Sequence, residues 1–274
     1  MQIVRQRPLR VAIAGLGAIG LAVARQIDAG IDGLVLAGVS ARDRTKAREK
    51  LSAFCDPPPL CTLDELADRA DIIVEALPGA AFRAVAVPVL ERGKVLVAIS
   101  SAALLDAEDL PALARRHGGR ILLPAGAMMG LDALTAMAEG EIVSVTLISR
   151  KPPQGLKGAP YLEENGIRLD GLAEPLCVFR GSARAAARAF PANVNVAATL
   201  SLAGIGPDAT MVEVWADPAL ARNTHAIEVV SDIALLTARI ENLPMPDNPR
   251  SSRITAASIV SCLRRLVSPL CINA

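Results

Sequence analysis

The stretch Val11–Gly20, VAIAGLGAIG, constrains this chain more than any other. A short apolar run breaks into Gly15-x-Gly17-x-x-Gly20 and continues as Leu21-Ala-Val-Ala-Arg, which reads as strand, tight turn and helix. The shape of a pyrophosphate explains the spacing. Gly15 allows the turn, Gly17 has no Cβ to hold a phosphate away from the backbone, and Gly20 lets helix and strand pack closely. The phosphates rest on the free N–H groups and positive dipole end of that helix, so Gly15, Gly17, Ala18, Ile19 and Gly20 are the expected cofactor-binding loop. A strand before and a helix after separate the motif from a glycine-rich turn in some other βα unit.

The alternation then repeats. Leu34–Ser40, Asp71–Leu77, Lys94–Ser100 and Arg120–Pro124 read as buried strands. Between them, Thr62-Leu-Asp-Glu65 is a capping box opening a short helix, and Gly79–Arg92 and Asp106–His117 are further helices. This series predicts an α/β fold, a Rossmann-type doubly wound parallel sheet. An NAD-specific site places an acid on the ribose about 20 residues past the first glycines. Here Ser40 is followed by Ala41 and Arg42, and a hydroxyl with a guanidinium two residues on suits a 2′-phosphate. The expected cofactor is therefore NADP or NAD, with NADP favoured, contacted by Ser40 and Arg42. The alternative is that Arg42 and Arg44 merely begin the solvated face of a helix that includes Arg48 and Lys50. Ser100 joins the candidates because it ends a strand, where open α/β sheets bind ligands. His117 reads as a surface cap before Gly118-Gly119.

From Gly130 the grammar changes. A short helix (Leu131–Ala138), a long strand (Ile142–Arg150), a loop of unassigned order from Gln154 to about Pro175, and a helix capped by Ser182 come first. A helix over NVNVAATLSLAG, a strand over Thr210–Ala216 and a hairpin of His225–Val230 with Ile233–Ile240 follow. The expectation is a second α+β domain with a mixed, mainly antiparallel sheet. It spans 126–246 as the substrate domain, after a dinucleotide-binding domain over 1–125. Residues 247–274, with an apolar-striped helix over Ser251–Leu270, are expected to pack back on the first domain.

Composition narrows the class. The 274 residues suffice for two domains, and 52% hydrophobic residues with 2% aromatics imply a core of Ala, Val, Leu and Ile, as in helices on a parallel sheet. The 29 basic and 28 acidic residues nearly cancel without blocks of either sign, which argues against nucleic acid. The uncharged run Ala189–Pro207 is broken by Pro191, Asn193 and Asn195 and does not span a bilayer. MQIVRQRPLR lacks the apolar core of a signal peptide, so the cytoplasm is the expected location. Five scattered cysteines without a CxxC pair, and only two histidines, read as reduced thiols and no metal site.

For proton chemistry there is no Ser-x-x-x-Lys or Tyr-x-x-x-Lys dyad, no GxSxG elbow and no paired histidines. That leaves His225, preceded by Arg222-Asn223-Thr224, as the candidate acid/base; its other reading is a structural histidine.

Six motifs in order carry a resemblance over nearly the whole chain: GLGAIG (15–20), PAGAMMGLDAL (124–134), RKPP (150–153), FPANVNVAATLSLAG (190–204), ADPALARNTHAIE (216–228) and ENLPMPDNPRSSR (241–253). On these the chain resembles the L-aspartate dehydrogenases. The resemblance implies that L-aspartate, NAD(P)+ and water give oxaloacetate, ammonia and NAD(P)H through iminosuccinate. It matches the family's acid/base histidine to His225 and its cofactor contacts to Ala127 and Asn195. A dicarboxylate needs cations, and Arg150, Lys151, Lys157, Arg250 and Arg253 are candidates, each also readable as solvated surface charge. Asn193 and Asn195, two apart on a helix, point in different directions, so one of them faces the ligand. Where the family has a glycine- and phenylalanine-bearing turn after its histidine, this chain has Val230-Ser231-Asp232-Ile233-Ala-Leu-Leu. A homodimer is expected from the alanine-rich helices and exposed strands. Competing readings are a reductase of the homoserine dehydrogenase or dihydrodipicolinate reductase type, and a non-catalytic NAD(P)-binding sensor.

Overall fold

The computed structural model describes residues 7–191, 194–246 and 248–272. The chain forms two compact units, one made of everything up to Pro124 together with Thr255 onward, the other of Ala125–Ile254.

The first unit runs β1 (Leu9–Ala14), α1 (Ala18–Asp28), β2 (Leu34–Ser40), α2 (Arg44–Leu51), α3 (Leu63–Arg69), β3 (Ile72–Glu75), α4 (Phe82–Glu91), β4 (Val95–Ala98), α5 (Ser101–Leu104), α6 (Leu110–His117) and β5 (Arg120–Leu122). Its strands are all parallel, in the order β2-β1-β3-β4-β5. Val11–Ala14 are wholly buried because helices cover both faces. Alternation along β1 sends Val11 and Ile13 into one layer, with Val23 and Ile27 of α1. Ala12 and Ala14 face the other, with Leu66 of α3, Phe82 and Val89 of α4, and Leu110 of α6. The capping box holds as read, with Glu65 N–H donating to Thr62 Oγ1 at 3.3 Å and Thr62 N–H to Glu65 Oε2 at 2.7 Å. The helix expected over Asp106–His117 starts later, at Leu110, and ends at Gly118 in the left-handed region.

The second unit runs α7 (Leu131–Met137), β6 (Ile142–Lys151), α8 (Pro160–Glu164), β7 (Leu176–Ser182), α9 (Ala183–Ala189), α10 (Asn195–Ala203), β8 (Met211–Ala216), β9 (Asn223–Ser231), β10 (Leu235–Asn242), β11 (Pro244–Met245) and β12 (Asn248–Ser252). Its main sheet has the order β10-β9-β6-β8-β7, antiparallel except for the β6–β8 pair. Val145, Leu147, Ser149 and Lys151 of β6 lie on the buried face, where α10 packs, while Val143 and Ser144 are exposed. The segment Val230–Leu236 closes the β9–β10 hairpin: Ser231 Oγ accepts from Ile233 N and Ala234 N, and Asp232 Oδ1 accepts from Glu141 N at 2.8 Å.

α11 (Arg253–Arg265) follows β12 directly. It starts at Arg253 because Ser251 and Ser252 belong to a strand, it stops at Arg265 where the expected Ser251–Leu270 helix ran on to Leu270, and its Ala256, Ile259, Val260 and Leu263 join the core of the first unit. β7 and the β11–β12 hairpin lie where no strand was read.

Candidate active site

The glycine turn leaves β1 with Gly15 at φ 103°, where a Cβ would lie 2.5 Å from the Ala76 carbonyl oxygen. A Cβ on Gly20 would collide with the Gly15 carbonyl oxygen, so strand and helix meet there without side chains. Gly17 is the reverse case: a Cβ there meets nothing within 4 Å, which leaves the backbone open to a ligand. It precedes α1 with no side-chain cap, and α1 carries no acid in its first turn. An open cradle at an uncapped helix N-terminus, beginning at Ala18 and Ile19, fits a pyrophosphate.

Ser40 ends β2 and its carbonyl accepts from Gly15 N at 3.0 Å, which ties the second strand to the turn. Arg42 is exposed. The Asp43 carboxylate accepts from Lys46 N and caps α2, while Arg44 donates to the Leu60 carbonyl at 3.0 Å. Lys50 donates to the Leu16 carbonyl at 3.2 Å, inside the glycine turn. That contact crosses from helix to turn, so helical periodicity alone assigned Lys50 to a solvated face.

Ser100 is buried, and its hydroxyl donates to Glu75 Oε1 at 3.0 Å and lies 3.1 Å from the Leu77 carbonyl. Glu75 also accepts from the backbone N–H of Leu77, Ile99 and Ser100. Burial pushes this carboxyl above its ordinary range and the four donors oppose the rise. Ser100 is thus part of a knot that fixes the loops after β3 and β4.

In the second unit, a pocket of about 350 Å³ lies at the ends of β6, β9 and β10. Its polar lining includes Gln154, Arg222, Asn223, Asn242, Asn248 and Ser251. That volume is within the usual range for small-molecule sites. Asn242 is buried, donates from Nδ2 to the Ala127 carbonyl at 3.2 Å, and keeps its Oδ1 sealed without a partner. Sequence reasoning missed Arg222 and Asn242 as lining residues, although both lie inside quoted motifs.

Beside it on β9, His225 is 3% exposed and lines a much smaller cavity of about 10 Å³ with Ser149, Lys151, Phe190, Val194 and Val214. This is room for about one water molecule. Ser149 and His225 are cross-strand partners in the β6–β9 register, and Ser149 Oγ and His225 Nδ1 are both buried without a partner. Burial, with the Lys151 charge second, lowers the imidazole from 6.5 to about 3, so the ring is neutral at ordinary pH. Burial also lowers Lys151 from 10.5 to about 8.

The other cations separate clearly. Arg150 lies 3.5 Å from Asp217 and stacks 4.6 Å over the Trp215 ring; Lys157 pairs with Asp170 at 2.7 Å; Arg253 donates to the Pro244 carbonyl. Asn195 is exposed as the first residue of α10. Asn193 and the Arg250 side chain lie outside the described residues. His117 is exposed, the cysteines are free, and among the described residues no cluster of three His, Cys, Asp or Glu could hold a metal. No described helix is long and apolar enough to cross a membrane.

Comparison with known proteins bears on both units. The family "Aspartate dehydrogenase, C-terminal" matches residues 132–266, and "Homoserine dehydrogenase, NAD binding domain" matches residues 15–124. L-aspartate dehydrogenase 3 of Bordetella bronchiseptica is 51% identical over 263 residues, covering 96% of each chain. The L-aspartate dehydrogenase of Bradyrhizobium diazoefficiens is 49% identical, covering 97% of this chain and 94% of that one. Among solved structures, aspartate dehydrogenase from Thermotoga maritima superposes with a TM-score of 0.73 at 26% identity, covering 96% of this chain and 99% of that one.

Proposed function

Since this chain belongs to the L-aspartate dehydrogenase family, we propose that it catalyses the reversible, NAD(P)-dependent oxidative deamination of L-aspartate to oxaloacetate and ammonia through iminosuccinate. A nicotinamide cofactor bound at the glycine turn would supply the hydride acceptor for the substrate Cα. The protein's own task is then proton management. Water attacks the imine carbon only as it gives up a proton, and a neutral imidazole can take it. With Nδ1 of His225 sealed in the interior, Nε2 is the nitrogen we assign to this transfer. The observation that carries the reading is the placement of this neutral, buried histidine two residues from Asn223, which lines the 350 Å³ pocket. That pocket is where we place the substrate, with Arg222 receiving a carboxylate.

On the cofactor side, Gly15, Gly17, Ala18, Ile19 and Gly20 would hold the pyrophosphate, with Ala127 and Asn195 as further contacts. Commitment of Asp43 to capping α2, with Arg42 exposed beside Ser40, supports acceptance of NADP as well as NAD. Substituting Arg42 by Ala should then weaken NADP more than NAD.

The deciding experiment crosses L-aspartate, and separately oxaloacetate plus ammonia, with both cofactors and follows the absorbance of the reduced nicotinamide. Turnover in both directions is expected. Tight cofactor binding without turnover would replace this reading with that of a non-catalytic sensor.

A further inference from the structure

Lysine is almost never fully buried unless something holds it. Lys151, the last residue of β6, is 5% exposed and lines the same small cavity as His225. The register explains the meeting. Ser149 stands opposite His225, and alternation puts Lys151, two residues on, on that same inward face. Among the described residues, the other elements that line this cavity bring no charge to it. β8 contributes Val212 and Val214, β10 places Ile240 opposite, and α10 with the residues before it contributes Val194, Val196, Ala197 and Phe190. Among the described residues, Lys151 is therefore the charged group facing the imidazole.

Two roles are open to such an ammonium: holding a substrate carboxylate, or acting on the ring. Size decides between them. About 10 Å³ admits roughly one water and no four-carbon dicarboxylate. We propose that Lys151 is a positioning residue for His225, its buried ammonium setting how readily the imidazole, already held neutral by burial, takes up and gives back a proton. This rests on the assignment of His225 as the acid/base of aspartate oxidation. Like charges held close in a dry interior repel strongly, so protonating the ring beside this lysine is disfavoured. The lowered value of His225 has burial as its first cause and the Lys151 charge as its second, so removing the charge should restore part of the ordinary value and not all of it.

The chain has two histidines, so a His117→Gln background leaves a single imidazole whose titration NMR reads directly after histidine-selective labelling. With Lys151 present the ring should stay neutral down to about pH 5. Lys151→Met should raise its midpoint by about one pH unit, and the acid limb of kcat/KM for aspartate by the same amount. Lys151→Arg, which keeps a cation, should restore the low midpoint. If Lys151→Met does not fold, the same signal in the Lys151 protein should still inflect near pH 8, where the lysine itself titrates.

An unmoved midpoint in folded Lys151→Met, or no inflection near pH 8, overturns the proposal. So does a higher KM for aspartate with an unchanged ring, which would make Lys151 a substrate anchor. A shifted midpoint in a protein that does not turn over aspartate would leave the electrostatic pairing standing and refute the proposed reaction instead.

Discussion

Replacing His225 by Gln keeps the approximate shape and a polar head but removes the proton acceptor. It should lower kcat for aspartate oxidation by about 10²- to 10⁴-fold, while reduced-cofactor binding by fluorescence titration stays unchanged. The same substitution should also alter stability against pH. The folded ring, at about 3, lies below its ordinary 6.5, so the unfolded chain takes up the proton first as pH falls. Stability from this group is complete above about pH 6.5 and is lost toward about pH 3, at about 1.4 kcal/mol per pH unit between them. Lys151 acts with the same sign in a higher window, between 10.5 and about 8. Denaturant melts at about pH 7 and about pH 4.5 test the histidine's part, and His225→Gln should lose less stability across that interval than the parent chain. Equal losses would remove the ring as the source. Arg222 calls for a different readout. Arg222→Ala should raise KM for aspartate by about tenfold or more, with a smaller change in kcat, as expected for a charge-assisted contact made in both ground and transition states.

At the scale of elements, the β1–α1 turn separates folding from binding. Gly20→Ala drives a methyl group into the Gly15 carbonyl and should destabilise the whole first unit, seen as a lowered Tm. Gly17→Ala meets open space and should leave Tm nearly unchanged, yet weaken NAD(P)H by tenfold or more, because the added Cβ occupies the ligand's approach. Parallel losses in both variants would mean that the turn serves the fold alone. This turn was legible in advance because strand, glycines and helix occupy one continuous stretch. β7 was not: LCVFRGS follows Pro175 closely and its last residue doubles as the cap of α9, Ser182 Oγ accepting from Ala185 N at 3.2 Å. β12 was hidden in a proline-rich run, PMPDNPRSS, whose composition reads as loop. Lys151 is the sharpest case in the site. A lysine before Pro152-Pro153 reads as a solvated strand end, and only its pairing with Ala216 of β8, together with the β6–β9 register that sets Ser149 opposite His225, shows that it points inward.

Over the whole chain, the first unit is completed by residues that come after the second. α11 lies more than a hundred residues beyond β5, yet its Ala256, Ile259, Val260 and Leu263 share a core with Val11, Ile13, Val23 and Ile27. Periodicity announced an apolar stripe on this helix, and the stripe needed something to cover. That surface is the layer of β1, β2, α1 and α2 residues whose core the stripe joins, and Val267, just past the helix, reaches Gly33 ahead of β2. A chain ordered this way cannot finish its dinucleotide-binding half until α11, which follows the second unit, is available. Leu263, wholly buried in that layer, is the place to test it. Leu263→Ala should cost about 2–5 kcal/mol, a large part of the 5–15 kcal/mol typical of a domain. The loss belongs to the nucleotide half, so saturating NADP(H) should recover part of it through its preference for the folded form. Denaturant titration with and without the cofactor measures both quantities. A cost below about 1 kcal/mol would mean that α11 merely rests on a core already closed without it.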